Sequence, residues 1–583
     1  MLKTLLAQVK QYKKSSLLTP LFAALEVVIV VLIPFITAMI IDQGIEAGNM
    51  KKVGLYGSIM LVFAMFSLLF GVLAGKYGAN ASSGLACNLR DAMYENIQTF
   101  SFSNIDKYST AGLVTRMTTD VTNVQNAYQM ILRIAVRAPF TLICSMIMCF
   151  VINAKLSLIF VIAIIVLGAF IVVVVKTTMK IFDMVFKKYD ALNASVQENV
   201  SAIRVVKAFV REDYENKKFI TAAENVYKLF VKAEGILAFN GPVMMLVVYF
   251  CIICLSWFGA KFIVVGNMTT GELTSMFSYI MSILMALMML SMIFVMTTLS
   301  IASGKRIAEV LNDKADLVNP KNPIMEVKNG SIDFNHVEFT YNDEAEKDTL
   351  IDIDLHIHSG ETVGIIGGTG CGKSSLVNLI SRLYDVNEGS VLVGGKDVKE
   401  YDLEVLRNQV AVVLQKNVLF SGTILENLRW GNETATKEEC IEACKNACAD
   451  EFIERFPNKY ETYIEQGGSN VSGGQKQRLC IARALLKKPQ ILILDDSTSA
   501  VDTATDAKIR SVFAKKIPDT TKIIIAQRIS SVQDADRILV LDDGKINGFD
   551  THENLLKTNE IYQEIYNTQV KGGGDFDQTG GAK

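Results

Sequence analysis

The chain has 583 residues, half of them hydrophobic, and a mean hydropathy of +0.30. It is too long for one compact domain and too apolar on average for an ordinary soluble enzyme. Its formal net charge of −2 gives no electrostatic indication of a nucleic-acid partner. The apolar excess lies before residue 302, so we expect a membrane domain followed by a soluble domain.

The first half contains six apolar stretches, each near the roughly 20 residues that a helix needs to cross a bilayer. They are residues 17–41, 53–75, 134–152, 156–175, 236–258 and 274–301. Positive charges concentrate in the long loop between the fourth and fifth stretches, which by the positive-inside rule places both termini and the long loops in the cytoplasm. We expect no signal peptide, because the N-terminus reads as an amphipathic basic helix on the membrane surface.

Two inner segments, residues 80–133 and 176–235, are too long and too helical in pattern to be simple loops. They predict cytoplasmic extensions of the membrane helices. Each extension is expected to carry a short turn far from the bilayer, at residues 109–114 in the first and 204–209 in the second.

Two features of the spans each allow more than one interpretation. Glu26 in the first span is either functional, as intramembrane carboxylates often are, or a paired or snorkelling acid. The methionines of the sixth span form either a wall for variable apolar ligands or filler that faces lipid or other helices. These methionines are Met276, Met281, Met285, Met288, Met289, Met292 and Met296.

The ten cysteines are expected to be reduced, because they lie in apolar spans or in the soluble half and form no disulfide framework. Cys440, Cys444 and Cys448 share one helix face, but no histidine accompanies them, and we expect no metal site there.

A polar segment at residues 312–330 separates the two halves. Beyond it, residues 362–366 predict a strand and 375–380 a helix, and the glycine-rich run between them has the phosphate-binding pattern. Its glycines let backbone N–H groups surround phosphate oxygens, Lys373 would reach the β- and γ-phosphates, and Ser374 would bind Mg²⁺. The sequence therefore predicts ATP binding by Gly367, Gly368, Thr369, Gly370, Cys371, Gly372, Lys373, Ser374 and Ser375.

Further motifs surround this loop in a fixed order. Tyr341 ends an alternating strand, where an aromatic ring could stack on adenine, and Gln415 follows the apolar strand at 410–414. Residues 471–475 precede a helix, and the apolar strand at 491–495 ends in Asp495, a carboxylate suited to Mg²⁺. Residues 499–502 and the strand at 522–526 complete the series.

This series resembles the ABC transporter family, specifically exporter-type half-transporters, and the resemblance covers nearly the whole chain. Residues 198–209 and 115–121 also resemble the coupling-helix regions of that family. The implied fold is multidomain, with an α-helical six-span membrane domain that has long cytoplasmic helical extensions, followed by an α/β P-loop ATPase domain. We expect a transmembrane domain at 1–311, a linker at 312–330, a nucleotide-binding domain at 331–570 and a disordered tail at 571–583.

In such transporters two nucleotide-binding domains enclose two ATP molecules, each held between the P-loop of one domain and the signature motif of the other. The resemblance implies that Tyr341 stacks on adenine, and that Gln415 and Asp495 act with Ser374 at Mg²⁺. A lone chain should be inert, because it supplies only half of each site. The resemblance further assigns ATP binding to Ser472, Gly473, Gly474, Gln475 and Asp502.

Two positions depart from the family pattern. Asp496 stands where the family normally has a catalytic glutamate, and Gln527 where it normally has a histidine. Losing one methylene withdraws the carboxylate by about an ångström, a misplacement that can cost roughly a hundredfold in rate. Glutamine donates a hydrogen bond but can neither take up a proton nor become charged. The pair therefore indicates a degenerate site that binds ATP and hydrolyses it slowly.

The signature at 471–475 is intact apart from its leading valine, so the opposite site could be fully active. This resembles one subunit of the bacterial heterodimeric multidrug exporters, in the plasma membrane, with a second half-transporter as partner and a small amphipathic substrate such as a drug, lipid or peptide. Three alternatives stay open: a homodimeric exporter or lipid flippase with a slow Asp496 base, a regulatory or gating subunit, and an importer-like subunit.

Overall fold

The computed structural model describes residues 1–341, 347–496 and 501–571. The chain divides into two compact units. The helical unit comprises Met1–Thr99 and Tyr108–Asp313, and the α/β unit comprises Phe100–Lys107 and Lys314–Lys583. Residues 342–346, 497–500 and 572–583, which include most of the expected disordered tail, lie outside the described residues.

The helical unit is made of long apolar helices, and six stretches of the described chain are long and apolar enough to cross a membrane. This confirms the six predicted spans. At 1.5 Å per residue the 50-residue second helix is roughly 75 Å long, more than twice the ~30 Å hydrocarbon core. The helices therefore extend well beyond a bilayer, as the length of the inner segments indicated. The six stretches are Lys10–Glu46, Met50–Thr99, Thr110–Ile152, Ala154–Phe182, Glu212–Val264 and Thr270–Leu290.

The core of the helical unit is a cluster of buried aliphatic and aromatic side chains contributed by the first, third, fourth, fifth and sixth spans. The helices from the N-terminus to residue 312 are α1 (Leu2–Ala7), α2 (Lys13–Ile40), α3 (Met50–Thr99), α4 (Phe102–Tyr108), α5 (Thr110–Thr115), α6 (Val121–Ile152), α7 (Ala154–Ser201), α8 (Ile203–Ala208), α9 (Glu212–Ala238), α10 (Asn240–Val264) and α11 (Thr270–Asn312).

The two expected turns of the extensions have different outcomes. The second coincides with the short helix α8. The first lies earlier than predicted, because Ser109 caps α5 by accepting a hydrogen bond from the Gly112 N–H and so begins the returning helix. Residues 100–107 make the reversal instead, and they belong to the α/β unit.

The N-terminal segment is helical, as predicted, and part of its apolar side is buried while Leu2 and Leu6 stay exposed. Leu5 and Val9 are buried, and a Cβ added to Gly304 of α11 would lie 3.1 Å from Leu5. The segment therefore packs on the last helix of its own unit.

The α/β unit is built around a six-stranded sheet of described strands, in the order β12-β11-β3-β10-β9-β6, with β12 antiparallel to the rest. Strands β9 and β10 are buried along their whole length, as expected for parallel strands covered on both faces. One hydrophobic cluster lies on each side of the sheet. A smaller described sheet has the order β2-β1-β4-β5, and β7 pairs with β8.

The strands of this unit are β1 (Ile332–Phe339), β2 (Leu350–Ile357), β3 (Thr362–Gly367), β4 (Glu388–Val393), β5 (Lys396–Asp397), β6 (Val410–Val413), β7 (Gly422–Thr423), β8 (Tyr463–Ile464), β9 (Ile491–Asp495), β10 (Thr521–Ile525), β11 (Arg537–Asp542) and β12 (Lys545–Asp550). Its helices are α12 (Lys373–Ile380), α13 (Leu403–Gln409), α14 (Ile424–Arg429), α15 (Lys437–Asn446), α16 (Asp450–Ile453), α17 (Gly473–Leu485), α18 (Thr503–Lys516), α19 (His552–Thr558) and α20 (Glu560–Lys571).

The order of the parallel strands brings several predicted site residues to one edge. Strands β3, β10 and β9 are adjacent and parallel, so their carboxyl ends lie side by side. The glycine-rich loop follows β3, Asp495 ends β9 with Asp496 directly after it, and Gln527 follows β10.

Candidate functional site

The glycine-rich loop joins β3 to α12 in the strand–loop–helix arrangement that the sequence predicted. The Lys373 ammonium group folds back over it and donates to the carbonyl oxygens of Gly367 and Gly368, at 2.9 and 2.7 Å. Gly372 has a φ of +96°, and a Cβ there would lie 2.9 Å from the Thr349 carbonyl oxygen, so only glycine fits. The loop is therefore shaped by its glycines to present main-chain N–H groups and one cation at a helix N-terminus.

An aromatic pair stands beside this loop. Tyr341 is 51% exposed, and its hydroxyl donates to the Ser375 hydroxyl oxygen at 3.0 Å. Its ring is perpendicular to that of Tyr384, with centroids 5.0 Å apart. Tyr341 is thus held at one edge while much of its surface stays open, a geometry compatible with the predicted stacking on a base.

The residues that hold Tyr341 in place, Tyr384 and its partner Asp106, could not be found from the sequence. The Tyr384 hydroxyl donates to a carboxylate oxygen of Asp106 at 2.7 Å. Burial, together with this hydrogen bond, raises the pKa of Tyr384 above its usual value. Asp106 lies 278 residues earlier, in the short segment of the α/β unit that interrupts the helical unit in sequence, and no local pattern marks either residue.

Asp495 ends strand β9, which lies between β10 and β6, and is only 6% exposed. Burial raises the pKa of its carboxyl group, an effect opposed by a hydrogen bond with Ser374 and by the charge of Lys373. A hydroxyl and a carboxylate side by side are the oxygen ligands that Mg²⁺ accepts when phosphates supply the others. The pair therefore fits the predicted ion. Gln415 follows the neighbouring strand β6 and is exposed.

Asp496 and Gln527 contact each other directly. The Gln527 side-chain amide donates to a carboxylate oxygen of Asp496 at 2.7 Å, across the adjacent ends of β9 and β10. Asp496 has a φ of +47°, in the left-handed region that few non-glycine residues adopt, and its main-chain N–H donates to the Ile525 carbonyl oxygen. The sequence named both residues but not the hydrogen bond that joins them.

The signature residues lie on another element. Ser472 caps the 13-residue helix α17 through a capping box: its hydroxyl accepts from the Gln475 N–H, and the Gln475 side chain accepts from the Ser472 N–H. No hydrogen bond links 472–475 to the glycine-rich loop within the described residues. One chain thus presents two separate helix starts, at Lys373 and at Gly473, each with the positive end of its helix dipole.

Asp502 caps α18 by accepting hydrogen bonds from the Thr505 N–H and hydroxyl, at 2.9 and 2.7 Å. These bonds lower the pKa of its carboxyl group. Ser499 and Ala500 of the same predicted motif lie outside the described residues.

The helical unit settles part of the ambiguity about Glu26. This residue is 8% exposed and forms an ion pair with Arg137 of α6 at 3.1 Å, beside Gly71 of α3. A carboxylate in an apolar surrounding is costly unless it is paired. Glu26 is thus a paired acid that joins the first and third spans.

The methionines of the sixth span differ in burial. Met276 is fully buried in the core of its unit. The other six are exposed in this chain, so packing against its own helices does not account for them. They are Met281, Met285, Met288, Met289, Met292 and Met296.

Comparison with known proteins identifies the class. The family model described as "ABC transporter transmembrane region" matches residues 17–288, and that described as "ABC transporter" matches residues 350–499. An uncharacterised ABC transporter ATP-binding protein of Bacillus subtilis, YfiB, is 37% identical over 92% of this chain and 93% of its own length. The chain belongs to the ABC transporter family.

Other members of this family agree with the assignment. An ATP-dependent lipid A-core flippase of Desulfotalea psychrophila is 32% identical over 88% of this chain and 89% of its own length. The solved structure of a bacterial Atm1-family ABC exporter with ATP bound shares the fold, with a TM-score of 0.82 over 96% of this chain and 99% of that one, at 24% identity.

The class fixes the general activity. This ABC transporter is an exporter-type half-transporter, a multi-pass membrane protein whose α/β unit binds ATP and couples ATP hydrolysis to export. ABC exporters work as dimers in the lipid bilayer, which agrees with the separation of the glycine-rich loop from the signature helix in one chain.

Proposed function

We propose that this chain is one subunit of a heterodimeric exporter of amphipathic compounds. Its own P-loop forms a degenerate ATP site, and its signature motif completes the active site of a partner half-transporter. The observation that carries this proposal is the hydrogen bond between Gln527 and Asp496, the two positions at which the family normally has histidine and glutamate.

The geometry at this pair argues against fast hydrolysis. The carboxylate of Asp496 starts nearer the main chain than that of a glutamate, and the Gln527 amide occupies one of its oxygens. General-base catalysis contributes about 10²–10⁴-fold to a rate, and it requires the base to reach the proton it removes. An amide in place of an imidazole can neither take up a proton nor become charged. The site can bind ATP while the chemical step is slow.

The binding parts of the site support the other half of the proposal. Tyr341 would stack on adenine, the loop Gly367–Ser375 would hold the phosphates, and Mg²⁺ would be held by Ser374, Gln415 and Asp495, where it neutralises phosphate charge. The capped start of α17, with Gly473 and Gly474 free of side chains, would face the ATP held by the partner's P-loop.

The cargo is proposed from the exposed methionines of α11, which recur along one stripe of the helix from Met281 to Met296. Thioether side chains adapt to apolar groups of varied shape, as a transporter of drugs, lipids or peptides requires.

We place the protein in a bacterial plasma membrane, with both termini and the α/β unit in the cytoplasm, where ATP is available, and with transport directed outward.

ATP hydrolysis in lipid nanodiscs tests the arrangement, with the chain alone and then mixed with half-transporters that carry glutamate and histidine at the two positions. We expect activity only with a partner. It should survive Asp496→Asn in this chain, because the hydrolysing P-loop belongs to the partner. Brisk turnover by the chain alone that Asp496→Asn abolishes would instead establish a homodimer with a working aspartate.

ATP hydrolysis stimulated by an amphipathic fluorescent dye in inside-out vesicles tests the cargo. Replacing Met285 and Met292 by serine should weaken dye-stimulated ATP hydrolysis and leave basal hydrolysis unchanged, because the ATP site is untouched. The matched control is Met285→Leu with Met292→Leu, which keeps the apolar volume. Equal behaviour of the serine and leucine pairs would mean that the stripe faces lipid and not cargo.

A further inference from the structure

Helix α20, the last helix among the described residues, contacts the segment that carries Gln527. The Gln569 side-chain amide N–H donates to the Gln527 carbonyl oxygen at 2.8 Å, and its carbonyl oxygen accepts from the Ile529 N–H at 2.9 Å. One amide therefore bonds to the main chain on both sides of Arg528. Neither the signature, the P-loop nor any other motif of the sequence accounts for Gln569.

Helix α20 is firmly placed, so it can hold Gln569 in position. Tyr562 is fully buried, its hydroxyl is 2.6 Å from a ring nitrogen of His552, and its N–H donates to the Asn559 side chain at 2.8 Å. Ile565 packs against the same hydrophobic cluster. Residues 562, 565 and 569 are spaced by three and four and share one face of the helix, so the face that anchors α20 also presents Gln569.

The segment that Gln569 holds is the one that reaches Asp496. After β10 ends at Ile525, the chain leaves the sheet, and Gln527 turns its side chain onto the Asp496 carboxylate at 2.7 Å. A main-chain shift at residue 527 moves that amide directly. Holding the carbonyl of 527 and the N–H of 529 removes two ways in which the segment could move.

We propose that Gln569 is a positioning residue for the ATP site, and that it acts through Gln527 by clamping the main chain at residues 527 and 529. Helix α20 then controls how well the Asp496–Gln527 pair is ordered. The slow hydrolysis at this site depends on that order, because the amide that takes up one oxygen of Asp496 also holds the carboxylate in place. This proposal rests on the ATPase activity of the family and does not depend on whether the chain forms a homodimer or a heterodimer.

Single-turnover ATP hydrolysis by the full-length protein in nanodiscs tests the clamp. A partner whose P-loop lysine is replaced confines the reaction to the P-loop of this chain, if a partner is needed. For Gln569→Ala we expect the rate of the chemical step to fall by about tenfold, less than the roughly hundredfold that an ångström of misplacement can cost. The affinity for ATP should be unchanged, because Tyr341 and the P-loop keep their contacts.

The matched control is Gln563→Ala. Gln563 is the same residue type on the same helix, and its side-chain amide donates to the Leu556 carbonyl oxygen, away from Gln527. We expect a similar change in melting temperature for both variants and a loss of rate for Gln569→Ala alone. An equal loss in both would make Gln569 a stabilising residue of the helix and overturn the proposal.

A double-mutant cycle separates positioning from general destabilisation. If Gln569 acts through Gln527, then Gln569→Ala should have almost no further effect on the rate in a Gln527→Ala protein. An undiminished tenfold loss in that background would contradict the proposal.

Hydrogen–deuterium exchange supplies a measurement that needs no turnover. The Ile529 amide should exchange faster in Gln569→Ala, because it loses its acceptor, and at the normal rate in Gln569→Glu, which keeps an acceptor oxygen. Gln569→Glu should still slow hydrolysis, since a carboxylate cannot donate to the Gln527 carbonyl. Unchanged exchange of Ile529 in Gln569→Ala would rule out the clamp.

Discussion

The signature segment and the Asp496–Gln527 pair belong to the same domain. The signature keeps the family pattern almost unchanged, whereas the pair departs from it at both positions. The signature keeps its small residues and a complete capping box between Ser472 and Gln475, so the start of α17 is fully formed. At the carboxyl edge of the sheet, the P-loop and Asp495 are also in place, but the two residues predicted to act on water are bonded to each other. Under the proposed function, binding and chemistry are separated within one ATPase domain.

The largest change in ATP turnover is expected from a substitution in the intact signature segment. Gly474→Asp should lower ATP turnover of the assembled dimer by about a hundredfold or more, because it places a carboxylate at a helix start meant for phosphate. The matched control is Gly395→Asp, the same substitution in a turn where an added Cβ has no atom within 4 Å; the φ of +75° there is left-handed, a conformation that aspartate adopts more readily than most residues. Turnover that survives Gly474→Asp would show that this signature serves no active site.

The second largest change is expected from restoring the family residues at positions 496 and 527. The double variant Asp496→Glu with Gln527→His should raise hydrolysis at the P-loop of this chain by about tenfold, less than the 10²–10⁴-fold that general-base catalysis contributes in full. Adding Lys373→Ala should abolish the gain, which locates it at this P-loop. If the double variant hydrolyses no faster than the native chain, the slow site has a cause other than these two residues.

A smaller effect tests the cap of α17. Ser472→Ala should cost about 1 kcal/mol of stability, as loss of an N-cap does. Thr436→Ala removes an equivalent capping box, with Glu439, from α15 and should cost a similar amount. We expect both variants to melt at similar temperatures and only Ser472→Ala to lower the ATP turnover of the dimer. Equal slowing would mean that the cap matters for folding alone.

The smallest expected effect is on the pH dependence of folding stability. Burial raises the pKa of Asp495, so the folded domain favours the protonated form more than the unfolded chain does. The contribution of Asp495 to stability should therefore be full below the ordinary aspartate pKa and fall as pH rises through the raised value. Thermal unfolding of the nucleotide-free protein across that window should show this decline, and Asp495→Asn should reduce it. An identical pH profile in the variant would contradict the assigned cause.

The sequence predicted most of the fold because its signals are local. Six apolar stretches mark the spans, and an apolar strand followed by a glycine-rich loop marks the P-loop wherever it occurs. The first turn was misplaced since helical periodicity continues through residues 100–115, and only the Ser109 cap shows where the returning helix begins.

The sequence by itself determined the spans, the order of the ATPase motifs and the two unusual residues, Asp496 and Gln527. These depend on composition and spacing within short stretches. Tertiary structure alone decided which distant side chains meet: Arg137 with Glu26, Asp106 with Tyr384, and Gln569 with the main chain of residues 527 and 529. Such pairs depend on how helices and strands pack, and packing brings together residues that share no local pattern.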